Sequence, residues 1–381
     1  MTESALRREA SVVQIDEVPT RSGHRLGVVT LNAEKTLNSL SLPMIDLLMP
    51  QLEQWRDRRD VVMVLMRGAG DRAFCAGGDI QALYRSMCAN AAADGIVDGY
   101  ADAFFEAEYR LDYALHVYPK PVLAFGHGVV MGGGLGLFSA SRYRLVTERA
   151  RIAMPEVTIG LFPDAGASWI LKRLPRAIAL YLAATGSQLD AGDALSIGLG
   201  THAVRLDAWP SLVEALAEMQ WRADASDAER IEGCIAGVRA SAPGGSLTRV
   251  APQIERALAS WSGPPRDLAQ RIDALAATDP WLERGAQTLR RGCPTSVGIV
   301  IEQIERVAKL ALADCFRMEL VVATHCARNG DFREGVRALI VDKDNAPKFR
   351  FGSVDALDGA YVRSHFDPPW PRNPLHDLEV A

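Results

Sequence analysis

Short apolar runs alternate with helical stretches along the first half of the chain. The runs are rich in β-branched residues and bounded by glycine, which is typical of strands, whereas residues 43–55 carry apolar side chains at helical spacing. The predicted strands are 26–31, 61–67, 122–125 and 142–147, and a further predicted helix covers 132–140. This alternation predicts strand and helix units stacked into an α/β core.

From about Pro210 onward the pattern becomes almost wholly helical, with 296–313 and 314–328 as predicted helices. The change in pattern places a soft domain boundary near residue 205. We therefore divide the chain into an α/β core, residues 1–205, and an extended α-helical C-terminal region, residues 206–381.

Bulk composition indicates a soluble globular protein. With 381 residues, 48% of them apolar, the chain can bury a sizeable core. A net charge of -5 offers no basic surface for a phosphate backbone, so nucleic acid is not expected as a partner. No membrane partner is expected either, because the longest stretch without formal charge, 122–140, contains six glycines and His127.

The cysteines indicate the redox compartment. The six cysteines show neither CxxC spacing nor the density of a disulfide scaffold, which favours reduced thiols. The first twenty residues lack the apolar run of a signal peptide. Both observations predict a cytoplasmic location.

Several common catalytic motifs are absent from the sequence. It contains no GxxxxGK[ST] phosphate loop, no HExxH, no GxSxG, no GxGxxG and no cysteine–histidine cluster at zinc spacing. No metal site is therefore predicted. What remains is chemistry by backbone groups and carboxylates.

Two glycine-rich turns, 75–79 and 131–136, follow apolar strands and lead into helices. Glycine lets a ligand approach the backbone, Asp79 can cap the helix that follows it, and a helix N-terminus leaves NH groups without partners. Two NH donors from separate turns are what an oxyanion hole requires. Either turn alone is equally consistent with a bend or tight packing, but the two together indicate a site for a carbonyl oxygen.

These segments resemble the crotonase, or enoyl-CoA hydratase/isomerase, superfamily. The resemblance is carried by AFCAGGDI at 73–80, HG at 127–128, MGGG at 131–134 and MPE at 154–156. It implies the crotonase-like ββα spiral core, an acyl-CoA ligand, and an oxyanion hole formed by the NH groups of Gly78 and Gly133. Coenzyme A contacts are expected along Ala76, Asp79 and Ile80, and coenzyme A is then part of the substrate, so no separate cofactor is expected.

The residues after the second turn indicate which reaction of the superfamily to expect. Hydratases of the superfamily use two glutamates to add water across a double bond, and Gly136 stands where the first would lie, which leaves only Glu156. The segment MPEVTIGLFPD instead resembles the 3-hydroxyisobutyryl-CoA hydrolase branch. Three C-terminal segments resemble the same branch, namely 294–296, 331–338 and 342–344. This resemblance implies hydrolysis of a short branched 3-hydroxyacyl-CoA thioester in valine breakdown.

Glu156 and Asp164, eight residues apart, are the catalytic candidates. Glu156 can serve thioester hydrolysis either by direct attack, which gives a mixed anhydride, or by activating water. Asp164 would orient the substrate hydroxyl or the water and share protons with Glu156. By the resemblance, both carboxylates and Gly133 also contact the substrate. The alternatives are an exposed turn residue for Glu156 and a helix cap for Asp164.

Glu108 interrupts an apolar stripe on a predicted helix over 97–116. A charge in that position needs a reason, which is either an arginine partner, such as Arg110 or Arg142, or a role in function. In the hydrolase branch the matching glutamate lines the substrate pocket, where it would suit binding a hydroxyl.

Two other functions stay open from the sequence. One is a hydratase or isomerase that uses Glu156 alone on a 2-enoyl-CoA, and the other is a non-catalytic acyl-CoA-binding protein. A nucleophile pair of Cys75 and His127 is not favoured, because neither residue lies in a motif that demands it, and packing roles are expected instead. A homo-oligomer is also left open.

Overall fold

The computed structural model describes residues 11–93, 95–242 and 244–379. The first ten residues, on which the prediction about a signal peptide partly rests, lie outside these ranges. No helix in the described ranges is long and apolar enough to cross a membrane.

The strands and helices are named in chain order. The strands are β1 (Val13–Pro19), β2 (Arg25–Leu31), β3 (Val61–Gly68), β4 (Ala73–Cys75), β5 (Val122–Gly126), β6 (Val129–Met131), β7 (Tyr143–Thr147), β8 (Arg151–Ala153) and β9 (His202–Val204). The α-helices up to the middle of the chain are α1 (Leu42–Asp57), α2 (Ile80–Ala92), α3 (Tyr100–His116), α4 (Gly133–Ala140), α5 (Ala167–Leu171), α6 (Arg176–Thr185) and α7 (Ala191–Ser196). The remaining ones are α8 (Trp209–Glu218), α9 (Asp227–Ala236), α10 (Ser246–Leu258), α11 (Pro265–Ala276), α12 (Pro280–Arg291), α13 (Pro294–Val307), α14 (Leu312–Arg328), α15 (Asp331–Val336) and α16 (Gly359–Ser364).

Contacts divide the chain into two compact units, each assembled from separate stretches of sequence. The first comprises Met1–Gly78, Ala114–Ile152 and Leu189–Gly245. The second comprises Asp79–Tyr113, Ala153–Gln188 and Ser246–Ala381. These units do not coincide with a division at residue 205. That division was placed where the sequence becomes helical, whereas the units are defined by contacts between segments that are distant in sequence.

The first unit is built on a six-stranded sheet in the order β1-β2-β3-β5-β7-β9. The β1–β2 pair is antiparallel and the pairs after it are parallel. A three-stranded sheet has the order β4-β6-β8, and β4 and β6 run parallel. Residues of α8 and α9, such as Leu212 and Ile231, join the apolar cluster on the large sheet. Burial of a parallel sheet explains why its strands read as continuous apolar runs.

The second unit is dominated by amphipathic helices. In α10 the buried residues recur at helical spacing, whereas α13 is buried along most of its length. The buried residues of α10 are Leu247, Val250, Ile254 and Leu258.

The predicted strands and the helix over 43–55 are confirmed to within two residues at each end. The helix predicted over 296–313 was too long, since α13 ends at Val307 and α14 begins at Leu312. Neither glycine nor proline lies in the linking residues 308–311, so no local signal marks this break. The helix predicted from residue 97 begins at Tyr100, whose NH donates to the Asp98 carboxylate.

Candidate active site

Residues 75–78 of the first glycine-rich turn lie against the second turn, 131–136, in the first unit. The two turns follow β4 and β6, which are parallel neighbours, and therefore leave the small sheet at the same edge. A Cβ atom on Gly77 would lie 3.4 Å from the carbonyl oxygen of Met131 and 3.9 Å from the nitrogen of Gly133. A Cβ atom on Gly134 would lie only 2.2 Å from the carbonyl oxygen of Cys75. Glycine is thus required at Gly134 because one backbone approaches the other, whereas at Gly77 it is favoured by a φ of 110°, which side chains rarely adopt.

The backbone NH of Gly133 is suited to receive a ligand oxygen. Gly133 is the first residue of α4, where an NH group has no carbonyl one turn earlier in its own helix. Gly78 directly follows Gly77 in the neighbouring turn. The structure therefore brings the two turns together, and the oxyanion role of Gly78 and Gly133 stays a prediction.

The three residues predicted to contact coenzyme A have different surroundings. The NH of Ala76 donates to the carbonyl of Leu37 at 3.1 Å. The carboxylate of Asp79 caps α2 by accepting from the NH of Ala82 at 3.0 Å, as predicted, and Ile80 is the first residue of that helix. Their contacts with coenzyme A stay a prediction.

Cys75 and His127 have the packing surroundings that the sequence favours. The Cys75 thiol donates to the carbonyl oxygen of Gly77 at 3.7 Å. Both ring nitrogens of His127 lie 3.1 Å from backbone carbonyl oxygens, those of Phe125 and Gly70. Burial lowers the pKa of His127, which keeps the ring neutral at physiological pH.

Glu108, Glu156 and Asp164 are all buried in the second unit, with 3%, 5% and 7% of their surface exposed. Glu156 is the first residue of a 3₁₀ helix, Glu156–Ile159, and Asp164 lies in the turn before α5. Glu108 projects from α3. The alternative in which Glu156 is an exposed turn residue is wrong.

Burial alters the protonation of these carboxyl groups, and for Glu108 and Glu156 mutual repulsion adds to the effect. Burial raises the pKa of Glu156 well above its usual range, and the charge of Asp164 raises it further. Burial likewise raises the pKa of Glu108, and Asp164 and then Glu156 add to the effect. Burial raises the pKa of Asp164 to about 7 against the opposing hydrogen bond from Tyr109. The three carboxyl groups thus form one electrostatically linked cluster.

Neither arginine proposed as a partner neutralises Glu108 through a hydrogen bond. Arg110 instead pairs with Glu106 and with Asp377, each at 3.0 Å. The Oε1 atom of Glu108 and the Oε2 atom of Glu156 have no hydrogen-bond partner among the described residues. Buried oxygens of this kind are suited to accept hydrogen bonds from a bound substrate or from water.

Sequence reasoning missed three residues of the cluster. The Tyr109 hydroxyl donates to the Oδ2 atom of Asp164 at 2.6 Å. Asp112, fully buried, lies one helical turn after Glu108, a spacing that could have revealed it. Glu319 comes from α14, and no local signal in the sequence links it to Asp164.

Asp164 does not cap a helix through its side chain. The N-cap residue of α5 is Gly166, which has no side chain to accept a capping hydrogen bond. The backbone carbonyl of Asp164 accepts from the NH of Ala167 at 2.9 Å, which leaves the carboxylate to Tyr109. The capping alternative is therefore wrong.

Among the described residues, no group of three or more His, Cys, Asp or Glu side chains could hold a metal ion.

A family model described as enoyl-CoA hydratase/isomerase matches residues 26–366. The chain therefore belongs to the enoyl-CoA hydratase/isomerase, or crotonase, family.

Curated relatives indicate which branch of this family the chain resembles. The chain is 33% identical over 342 residues to the mitochondrial 3-hydroxyisobutyryl-CoA hydrolase of Danio rerio, covering 90% of this chain and 87% of that protein. It is 33% identical over 344 residues to the protein of the same name from Dictyostelium discoideum, covering 89% and 88%. The resemblance to this branch is confirmed.

Solved structures confirm the crotonase-like α/β fold. An enoyl-CoA hydratase from Rhodobacter sphaeroides 2.4.1 matches with a TM-score of 0.81 at 31% identity, covering 94% of this chain and 98% of that chain. A carnitinyl-CoA dehydratase from Mycobacterium thermoresistibile matches with a TM-score of 0.82 at 29% identity, covering 95% and 99%. Since these coverages are nearly complete, the C-terminal helical region belongs to the shared fold.

Proposed function

We propose that this chain hydrolyses 3-hydroxyisobutyryl-CoA, a short branched 3-hydroxyacyl thioester, to the free acid and coenzyme A. The observation that carries the proposal is the buried pair of Glu156 and Asp164, in a chain that has Gly136 where a hydratase would place its other glutamate. The names of the curated relatives support the same substrate. An acyl-CoA is accordingly the expected small-molecule partner.

Glu156 is the group that starts the reaction in this proposal. A raised pKa makes its carboxylate a stronger base and nucleophile than an exposed glutamate. In one route it attacks the thioester carbon, coenzyme A leaves as a thiolate that takes up a proton, and water then hydrolyses the mixed anhydride to the free acid and the regenerated glutamate. In the other route it takes a proton from the water that attacks the thioester carbon, and coenzyme A again leaves as a thiolate that is protonated. The NH groups of Gly78 and Gly133 stabilise the negative charge that develops on the carbonyl oxygen.

The other buried carboxyl groups serve the substrate's hydroxyl. Asp164, with a pKa of about 7, is ionised in a substantial fraction of molecules at neutral pH and accepts a hydrogen bond from that hydroxyl or from the attacking water. The Oε1 atom of Glu108 is a second acceptor. A thioester without the 3-hydroxyl would leave such acceptors unpaired, which disfavours it.

The proposed reaction is a step of valine breakdown. It needs no bound cofactor, because coenzyme A enters and leaves with the substrate. The curated relatives are named as mitochondrial proteins, and a cytoplasmic location for this chain stays a prediction, as does a homo-oligomer.

A hydratase is the second candidate, since the solved structure with 31% identity is an enoyl-CoA hydratase. Thiol release and loss of enoyl absorbance separate the two reactions. We expect purified protein to release free thiol from 3-hydroxyisobutyryl-CoA and to leave the absorbance of crotonyl-CoA unchanged. Hydration of crotonyl-CoA without thiol release from any short 3-hydroxyacyl-CoA would contradict the proposal, and binding without either reaction would favour an acyl-CoA-binding protein.

The substitution Tyr109→Phe should move the acid limb of the pH profile. The Tyr109 hydrogen bond lowers the pKa of Asp164, so its removal raises that pKa above about 7. A group needed as a carboxylate is then lost at higher pH, and the acid limb of kcat/KM should move upward by up to about one pH unit. Activity should fall at pH 6.5 and be nearly normal at pH 9.

Tyr113→Phe is the matched control for this experiment. Tyr113 lies on the same helix, but its hydroxyl donates to the backbone carbonyl of Glu379. We expect its pH profile to match that of the unchanged protein. If Tyr109→Phe also leaves the profile unchanged, the ionisation of Asp164 does not limit the reaction.

A further inference from the structure

The turn that carries Asp164 is held by two helices of the C-terminal region. From α14, the carboxylate of Glu319 accepts two hydrogen bonds, from the NH of Gly166 through Oε2 and from the NH of Ser168 through Oε1, each at 2.8 Å. The two oxygens of one side chain therefore hold two donors of the same turn. Glu319 is fully buried.

The second helix holds the same turn from its other end. From α13, the amide nitrogen of Gln303 donates to the carbonyl of Pro163 at 2.6 Å and to the hydroxyl of Ser168 at 2.9 Å. Gln303 is fully buried as well. Asp164 thus lies between Pro163, which Gln303 holds, and Gly166 and Ser168, which Glu319 holds.

The backbone of this turn would not hold its shape unaided. Ala165 has a φ of 53° and Gly166 a φ of 84°, so two successive residues are in the left-handed region. For the non-glycine residue this costs on the order of 1 kcal/mol or more, and such conformations persist only where the surroundings impose them. The contacts of Glu319 and Gln303 are surroundings of this kind.

Helix capping alone does not explain a buried glutamate at this position. A serine or aspartate at the N-cap would satisfy the NH groups of α5 locally. Burial raises the pKa of Glu319 to about 8, against the hydrogen bonds from Ser168 and Gly166, so its carboxylate is held there at a cost. A distant acceptor on a long helix has the additional effect of tying the turn to that helix.

We propose that Glu319 and Gln303 are positioning residues that fix the turn 163–168 and thereby hold the Asp164 carboxylate in its working place. The inference rests on the proposed function of Asp164. It also gives α13 and α14 a part in the reaction: they set the geometry of a catalytic turn that lies more than a hundred residues earlier in the chain.

The substitution Glu319→Gln tests the proposal with little change in volume. Glutamine keeps one acceptor oxygen, but its NH2 group faces an NH donor of the turn, so one of the two bonds is lost. We expect kcat for 3-hydroxyisobutyryl-CoA to fall about 10- to 100-fold, as for a small misplacement of a reacting group, while KM stays within about threefold. Hydrogen–deuterium exchange of the peptide spanning 163–171 should accelerate.

The control is Asp314→Asn on the same helix, which removes a surface pair with Arg317 and should change neither measurement. Unchanged kcat and unchanged exchange in Glu319→Gln would overturn the proposal, and so would a rise in KM with constant kcat. Should Glu319→Gln fail to fold, Gln303→Met must show the same pattern. Failure of both to fold would mean that the contacts serve folding alone, which also overturns the proposal.

The exchange measurement separates this inference from the proposed function. If the unchanged protein releases no thiol from any short 3-hydroxyacyl-CoA, the proposed function fails. In that case, faster exchange of 163–171 in Glu319→Gln would still support the inference that Glu319 fixes the turn 163–168. Normal exchange would overturn it independently of any substrate.

Discussion

The substitution Glu156→Gln is expected to lower kcat by about a thousandfold or more and to leave binding of the acyl-CoA largely intact. The amide has the size of the carboxylate but can neither attack the thioester nor take a proton from water, and a positioned base contributes about 10²- to 10⁴-fold. Thiol release measures kcat, and calorimetric titration with the substrate measures binding to the inactive variant.

The same variant should be more resistant to heat, which separates loss of chemistry from loss of fold. The pKa of Glu156 is raised in the folded state, mainly by burial, so stability falls as pH rises above the usual glutamate range. Glutamine avoids this loss. The gain in Tm over the unchanged protein should therefore be larger at pH 8 than at pH 5.

Glu302→Gln is the matched control, because its carboxylate makes a partly exposed pair with Arg306 at 3.4 Å. We expect normal turnover and little change in Tm, since such pairs contribute about 0–1 kcal/mol. Full activity in Glu156→Gln would remove this residue from the mechanism.

The parts of the site that the sequence predicted are those with a local signal. The glycine-rich turns could be identified because close approach of two backbones forces glycine at Gly134 and a φ of 110° favours it at Gly77. Glu156 and Asp164 were found because their short segment resembles a known branch. Glu108 was recognised because one charge interrupted an apolar helical stripe.

The contacts that control these groups were missed because their partners are distant in sequence. Tyr109 and Asp164 are 55 residues apart, and Glu319 is 153 residues from Gly166. No spacing rule covers contacts of that length, and a buried glutamate on an amphipathic helix resembles a surface residue until the fold is known. The alternative in which Asp164 caps a helix was wrong for the same reason, because the acceptor for the NH groups of this turn is Glu319 of α14.

The contiguous division at residue 205 describes composition better than it describes contacts. Residues 206–245 belong to the first compact unit, where α8 and α9 join the cluster on the large sheet. Residues 79–113 and 153–188 belong to the second unit, and they carry the buried carboxyl groups of Glu108, Asp112, Glu156 and Asp164. Helical content alone does not reveal which unit a helix packs into.

The substitution Gly134→Ala should reduce kcat about 100- to 1,000-fold. The added Cβ atom would lie 2.2 Å from the carbonyl oxygen of Cys75, so the two glycine-rich turns must move apart. Separation displaces the NH of Gly133 from that of Gly78, and loss of one oxyanion donor costs on the order of 3 kcal/mol of transition-state stabilisation. Because charge on the oxygen develops only in the reaction, kcat should fall more than KM rises.

Gly233→Ala is the matched control, because it makes the same chemical change at a position where the added Cβ atom contacts no other segment of the chain. A Cβ atom on Gly233, in α9, meets no atom within 4 Å outside its chain neighbours and the backbone of its own helix, so this variant should keep full activity and gain about 0.5–1 kcal/mol in helix stability. Thermal unfolding of both variants shows how much of the effect is structural. If Gly134→Ala stays folded and keeps its kcat, the close approach of the turns is not what creates the oxyanion site. A fall in kcat at nearly constant KM would instead link this approach, the one feature that forces glycine at Gly134, directly to transition-state stabilisation.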